Sequence, residues 1–343
     1  MKTQPKIVSL LVSLASVVLV GAGLKAMAGL LTPILLSLFL VLVTYPILAW
    51  LRGRGLPNWL SYILVLLGVV AIGAFGILFL VTSINELVNL LPSYSSQIEV
   101  QVNGLWQWIT KQGVTLDDIQ ALSWFQPERI LQLSLSLTAA VLGTLSNTGL
   151  TLLIFIYMLA TAPVFSAQLH KGLKHNLPAL QRLEGFAHST SSYLMIKGWL
   201  GAVTALIQML LMGFLGLDFA VLWGVLSFAL NFVPNIGFYI ALVPPLMIAA
   251  IELGWLKAAL FALAYVVINN FFDIVIAPRY LAKGLDLSVL VTFLAVIIWA
   301  WILGPIGAFL ALPLTIMVKE LLLEPFPQTR LLADLMGVGN EET

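Results

Sequence analysis

The chain has 343 residues, 61% of them hydrophobic and only 9% charged, with a formal net charge of +1. Soluble domains carry roughly a quarter charged residues, so a soluble globular protein is excluded, and the balanced charge argues against nucleic acid as a partner. Cysteine is absent, which excludes disulfides, thiol nucleophiles and thiolate metal sites.

Several stretches exceed the roughly 18 apolar residues that cross about 30 Å of hydrocarbon as a helix. The alternating ten-residue patterns of outer-membrane barrels are absent, so the expectation is an all-α integral protein of a bacterial inner (plasma) membrane. Lys2 and Lys6 precede "IVSLLVSLASVVLVGAG". That run is longer than the apolar part of a signal peptide, and a second apolar segment follows at once, so 7–24 is read as a retained first span. Spans are then predicted at 27–50 and 58–82. Residues 83–136 are too polar to cross; Trp106, Trp108 and Trp124 suit a helix lying at the headgroup level, or a solvated connector with a few buried rings. A fourth span follows at 137–162, a basic connection at 163–198, and spans at 199–217 and 256–277. The apolar stretches 219–252 and 287–320 are interrupted. The layout expected is three spans in 1–82, an exterior segment at 83–136, a fourth span and basic connection in 137–198, a transport core at 199–320, and a tail at 321–343.

Cytoplasmic loops collect Lys and Arg. With the N-terminus inside, 12 of the 16 basic residues fall in the cytoplasm, against four in the opposite sense. Both termini are therefore expected inside.

The interrupted stretches carry the functional signal. Residues 219–233 and 236–252 would rise about 22 and 25 Å as helices, too short for either to cross comfortably alone. Pro234 removes a backbone donor and Gly237 loosens the helix, so the pair reads as the tip of a re-entrant hairpin. Non-helical backbone at that depth must be buried in protein or line a wet cavity, and Asn231 and Asn235 can help to satisfy it. "GLDFAVL" at 216–222 and "GLDLSVL" at 284–290 match at five of seven positions, and "PNIGFYIAL" corresponds to "GPIGAFLAL", where Gly304, Pro305 and Gly307 form the second tip. Charge places the two units in opposite orientations. An inverted repeat with Gly/Pro-interrupted segments points to a secondary transporter. The fold expected is six full spans plus two broken hairpins, eight passes by hydropathy, with an inverted repeat in the C-terminal half.

In "VVINNFFDIVIAPRYLAKG", Asn269 and Asp273 lie four apart on one helical face, with Asn270 beside them. An ionisable residue there is a functional hypothesis by default; the structural alternative is that Asp273 pairs with Arg279, at the cytoplasmic mouth, or with another interfacial group. Asn231, Asn235, Asn269, Asn270 and Asp273 are the candidate transport path. No phosphate loop, HExxH or GxSxG is present, so no enzyme, cofactor or metal site is expected. His170, His175 and His188 fit a solvated basic helix.

From about Tyr193 onward, in "YLMIKGWLGAVTALIQMLLMGFLGLDFAVLWGVLSFALNFVPNIGFYIALVPP" and "APRYLAKGLDLSVLVTFLAVIIWAWILGPIGAFLALPLTIMVK", the chain resembles the autoinducer-2 exporter family. The resemblance rests on the Pro-x-x-Gly turn at 234–237, Pro278 after the penultimate span and the Gly-x-x-Gly turn at 304–307. Asn235 departs from the residues common in that turn, which bears on the substrate. The resemblance implies a multi-spanning transporter exporting a small polar solute such as the quorum-sensing signal. It also implies, as an alternative, a sodium(lithium)/proton antiporter that would move Na+ and H+. A non-transporting scaffold is the third reading. The bilayer is the expected surrounding, and a homo-oligomer is left open.

Overall fold

The computed structural model describes residues 6–79, 81–83, 136, 148–234, 236–281 and 287–337. Every regular element among them is helical, the form in which a chain satisfies its own backbone in lipid. In chain order these are α1 (Lys6–Ala26), α2 (Ala28–Gly53), α3 (Asn58–Ser83), α4 (Thr148–Gly172), α5 (Leu177–Phe214), α6 (Ala220–Asn231), α7 (Gly237–Leu253) and α8 (Trp255–Asn270). A π-helical turn (Phe271–Ile276) and a last α-helical turn (Ala277–Leu281) prolong α8. Then come α9 (Val289–Leu303), α10 (Pro305–Phe309) and α11 (Ala311–Val318), a π-helical turn (Lys319–Leu323) and α12 (Pro327–Met336).

Among the described residues, five helices are long and apolar enough to cross a membrane: α2, α3, α4, α5 and Trp255–Tyr280. The protein is an all-α, multi-pass membrane protein. The span expected at 7–24 lies within α1, a helix of 21 residues. The described part of the fourth span lies in α4; residues 137–147 lie outside the described residues, as do 84–135 of the exterior segment. The largest departure is α5. A basic connection to 198 and a span from 199 were expected, yet a helix of 38 residues runs through both. Its polar first half lacks the apolar density of a span, but it contains no proline after Pro178 and keeps buried positions at Leu180, Phe186, Tyr193 and Leu194.

Both interrupted stretches are broken near the positions expected. Between α6 and α7 the helix stops at Asn231 and restarts at Gly237. A Cβ at Gly237 would run into the carbonyl oxygen of Leu230. In the second stretch α9 stops at Gly304, whose φ of +71° suits glycine, and Pro305 occupies the first turn of α10, where its missing N–H costs nothing. A Cβ at Gly307 would collide with the carbonyl oxygen of Trp299. The same device thus recurs: a glycine just past the break lets two backbone segments touch.

The chain divides into two compact units. Unit one comprises 1–62, 146–192 and 284–343; unit two comprises 63–145 and 193–283. The interrupted stretches fall in different units. In unit one, α2 packs on α4, with Phe39, Leu48, Phe155 and Leu159 buried and the Ser37 hydroxyl donating to the Thr151 carbonyl at 2.8 Å. Lys25 of α1 lies 4.2 Å above the Trp301 ring of α9, and the Trp299 indole donates to Thr315 of α11 at 3.0 Å. In unit two the core is formed by Met212, Leu222, Trp223, Leu226, Ile248, Phe261 and Tyr265, from α5 to α8. Gly224 brings α6 close to α5: a Cβ there would stand 3.0 Å from Met209.

Candidate transport site

A helix presents residues three and four apart on one face. On α5, Lys197, Gly201, Thr204 and Gln208 recur at that spacing; on α6, Trp223, Ser227 and Asn231; on α8 and its π turn, Tyr265, Asn269 and Asp273. Within unit two these faces meet at several levels. Lys197 Nζ donates to Asp273 Oδ1 at 3.0 Å, and Asn269 Nδ2 donates to Asp273 Oδ2 at 2.9 Å. Between those groups and Gln208, Asn231 lies against Gly201, its Oδ1 3.4 Å from where a glycine Cβ would stand. Farther along α5, the Tyr265 hydroxyl donates to Ser227 at 3.0 Å, and the Ser227 hydroxyl in turn donates to Gln208 Oε1. From Lys197 to Gln208 the column rises about 16 Å along α5, roughly half the hydrocarbon thickness.

Most of the column is buried. Gln208 is 0%, Asn269 1%, Thr204 1% and Asn231 8% exposed. Several of its polar atoms meet no protein partner among the described residues: Asn231 Oδ1, Asn269 Oδ1, Thr204 Oγ1, Gln208 Nε2 and Trp223 Nε1. Reversing the Gln208 amide does not remove the deficit, because one of its two ends is always left over. Each unmet buried group costs about 1–3 kcal/mol, and buried polar groups are ordinarily satisfied. Such a concentration along one column of a membrane protein is suited to a guest that brings its own hydrogen bonds. The charged end is self-compensating: the side chain of Lys197 is 13% exposed and that of Asp273 39%.

Of the sequence-predicted path residues, the structure joins Asn269 to Asp273 and sets Asn231 against Gly201, one turn along α5 from Lys197, the partner of Asp273. Asn270 is half-buried on the neighbouring face of α8, and Asn235 lies outside the described residues. Arg279 is exposed in the last turn after α8. The partner of Asp273 is Lys197 instead, a residue expected in a cytoplasmic loop and found inside α5. Pro234 and Gly237 form the break between α6 and α7, next to Asn231; Gly304, Pro305 and Gly307 form the corresponding break in unit one. His170, grouped with the solvated histidines, pairs with Glu184 at 2.7 Å. Lys197, Thr204, Gln208, Ser227 and Tyr265 escaped the sequence reading. The signal was available for α5, whose 4-3-4 spacing marks one face once 177–214 is recognised as a single helix.

The comparisons with known proteins agree with a transporter. The profile described as AI-2E family transporter matches residues 14–324. The AI-2 transport protein TqsA of Escherichia coli (strain K12) is 28% identical over 310 residues, covering 90% of each chain. YhhT of the same strain, named as a candidate transport protein, is 27% identical over 336 residues, covering 97% of this chain and 95% of its own. YrrI of Bacillus subtilis (strain 168), named in the same way, is 23% identical over 309 residues, covering 85% of each. These relatives are named as transporters, not enzymes. With a match that takes in nearly the whole chain, this protein belongs to the AI-2E family of transporters.

Proposed function

We propose that the chain carries a small, neutral, polar solute outward across the bacterial inner membrane, with both termini in the cytoplasm, and that an autoinducer-2-type signal is its cargo. The observation that carries this reading is the makeup of the column in unit two. Asn231, Asn269, Thr204, Gln208, Ser227 and Tyr265 are neutral hydrogen-bonding groups, and the one acid and one base cancel. A hydroxylated solute gives up its hydration shell at a cost these groups offset, since hydroxyls both donate to the unmet amide oxygens and accept from the unmet Gln208 nitrogen. A column with no net charge offers a bare ion little attraction. The name of the relative TqsA, an AI-2 transport protein, supports the choice of cargo.

A sodium(lithium)/proton antiporter is the second reading. It is favoured by one feature: Asp273 keeps 39% of its side chain exposed and stands beside the unmet carbonyl oxygen of Asn269. The test is efflux of labelled autoinducer-2 and of 22Na+ from vesicles containing the purified protein, with and without imposed ion gradients. The neutral-solute reading expects autoinducer-2 flux well above empty vesicles and no protein-dependent 22Na+ flux. Protein-dependent 22Na+ flux driven by a pH gradient, without autoinducer-2 flux, would replace it with the antiporter.

A further inference from the structure

The transport column leaves α12 unexplained. This ten-residue helix has three distinct faces. Ala333 is fully buried against the rest of unit one. Leu331, Leu332 and Leu335 are 69%, 55% and 68% exposed and, at 3.6 residues per turn, occupy an arc of about 100°. Arg330 and Asp334, both exposed, lie on a separate arc. A row of leucines facing away from the protein on a helix this polar is not core material.

The ends of α12 say where it lies. At its start, the Thr329 hydroxyl donates to the Leu323 carbonyl at 2.7 Å, tying it to the π turn that ends the α11 segment. At its finish, the Met336 carbonyl accepts from the Ser288 amide at 2.8 Å, and Ser288 caps the first turn of α9. The helix therefore bridges the two open ends of the apolar stretch formed by α9, α10 and α11, and so runs across its mouth. Neighbouring apolar residues are also exposed: Val289 75%, Leu290 67%, Leu322 57% and Phe326 55%. The leucine face of α12 is thus continuous with the exposed beginning and end of the apolar α9–α11 stretch.

We propose that α12 is an interfacial helix whose partner is the lipid surface. Leu331, Leu332 and Leu335 dip into the boundary between headgroups and acyl chains, to a depth of about 5–10 Å, while Arg330 and Asp334 stay among headgroups and water. An apolar face with a separate charged face, on a helix lying across the open end of an apolar hairpin, is the arrangement that binds a membrane in plane. The role is an anchor that fixes the level of the α9–α11 stretch in the bilayer. It is independent of the transport column, which belongs to the other unit.

The native chain has no cysteine, so single labels are unambiguous. Leu331→Cys, Leu335→Cys, Arg330→Cys and Asp334→Cys would each carry a nitroxide in the full-length protein in phospholipid vesicles, with Val289→Cys as the membrane reference. Oxygen partitions into the bilayer and nickel chelates into water. The expected result is an oxygen-to-nickel collision ratio at Leu331 and Leu335 close to that at Val289 and severalfold above Arg330 and Asp334. Equal, water-like ratios at all four positions would overturn the proposal. So would low collision rates with both reagents at the leucines, since protein would then cover them. Dipolar broadening that disappears on dilution with unlabelled chain would identify that cover as a second copy.

Discussion

Asp273 was legible as a candidate because an acid is conspicuous in an apolar segment, and Asn231 and Asn269 stood out as polar groups in the same surroundings. Lys197 was not. A lysine near the end of an apolar run reads as a loop charge, and only tertiary packing reveals that it points at a carboxylate on another helix. Thr204, Gln208, Ser227 and Tyr265 are ordinary residues in membrane helices, and their place in the column rests on tertiary packing that no local pattern encodes. The pairing makes a specific prediction. Removing one charge of a partly buried pair leaves the other without its counterion, so Asp273→Asn and Lys197→Met should each lower the thermal stability of the purified protein. The double variant should lose less than the two combined, with a coupling of about 0.5–3 kcal/mol, measured as a double-mutant cycle of unfolding free energies. Additive losses would mean that the two side chains do not support each other.

At the level of elements, proline and glycine made the two breaks readable. Pro234 with Gly237, and Gly304 with Pro305 and Gly307, combine a missing donor with a residue that needs no Cβ, and such punctuation survives in any context. The length of α5 was not readable. Its first half mixes Lys, Arg, Glu and His with apolar residues, a composition shared by solvated loops and by helices packed on one side. The breaks give the second prediction. A Cβ at Gly237 meets the Leu230 carbonyl oxygen and one at Gly307 meets that of Trp299, and backbone cannot swing aside as a flexible side chain does. Gly237→Ala and Gly307→Ala should therefore each cost about 1–3 kcal/mol, the usual cost of overpacking, and reduce transport. Gly29→Ala and Gly68→Ala, where a Cβ would meet nothing within 4 Å, should be stable. Melting temperatures of the four variants in detergent would check this, and equal values would remove the close-approach role.

For the whole molecule, composition alone fixed the class as an all-α multi-pass membrane protein, because a chain with 9% charged residues cannot make a soluble surface. The division into two compact units was not legible: α3 and α5 both pass from one unit to the other, and a continuous helix carries no boundary signal in its sequence. The polar column lies wholly in unit two, and under the proposed function it is where the solute is bound in passage. Asn231→Leu separates transport from stability, and Asn269→Leu tests the same column at its charged end. Each removes a buried amide with an unmet oxygen; Asn269→Leu also takes away the bond donated to Asp273 Oδ2 and should cost some stability, while Asn231→Leu should cost little. Each also removes hydrogen bonds of about 1–3 kcal/mol from a bound solute, equivalent to about tenfold per 1.4 kcal/mol. The decisive measurement is solute flux through vesicles holding equal amounts of wild type, Asn231→Leu, Asn269→Leu and, as a control, Thr161→Val on the exposed face of α4. Flux should fall about tenfold or more in both asparagine variants, with the unfolding temperature of Asn231→Leu close to wild type, that of Asn269→Leu somewhat lower, and the control at wild-type rate. Wild-type flux in both asparagine variants would mean that the solute does not pass through this column and place the transport path elsewhere.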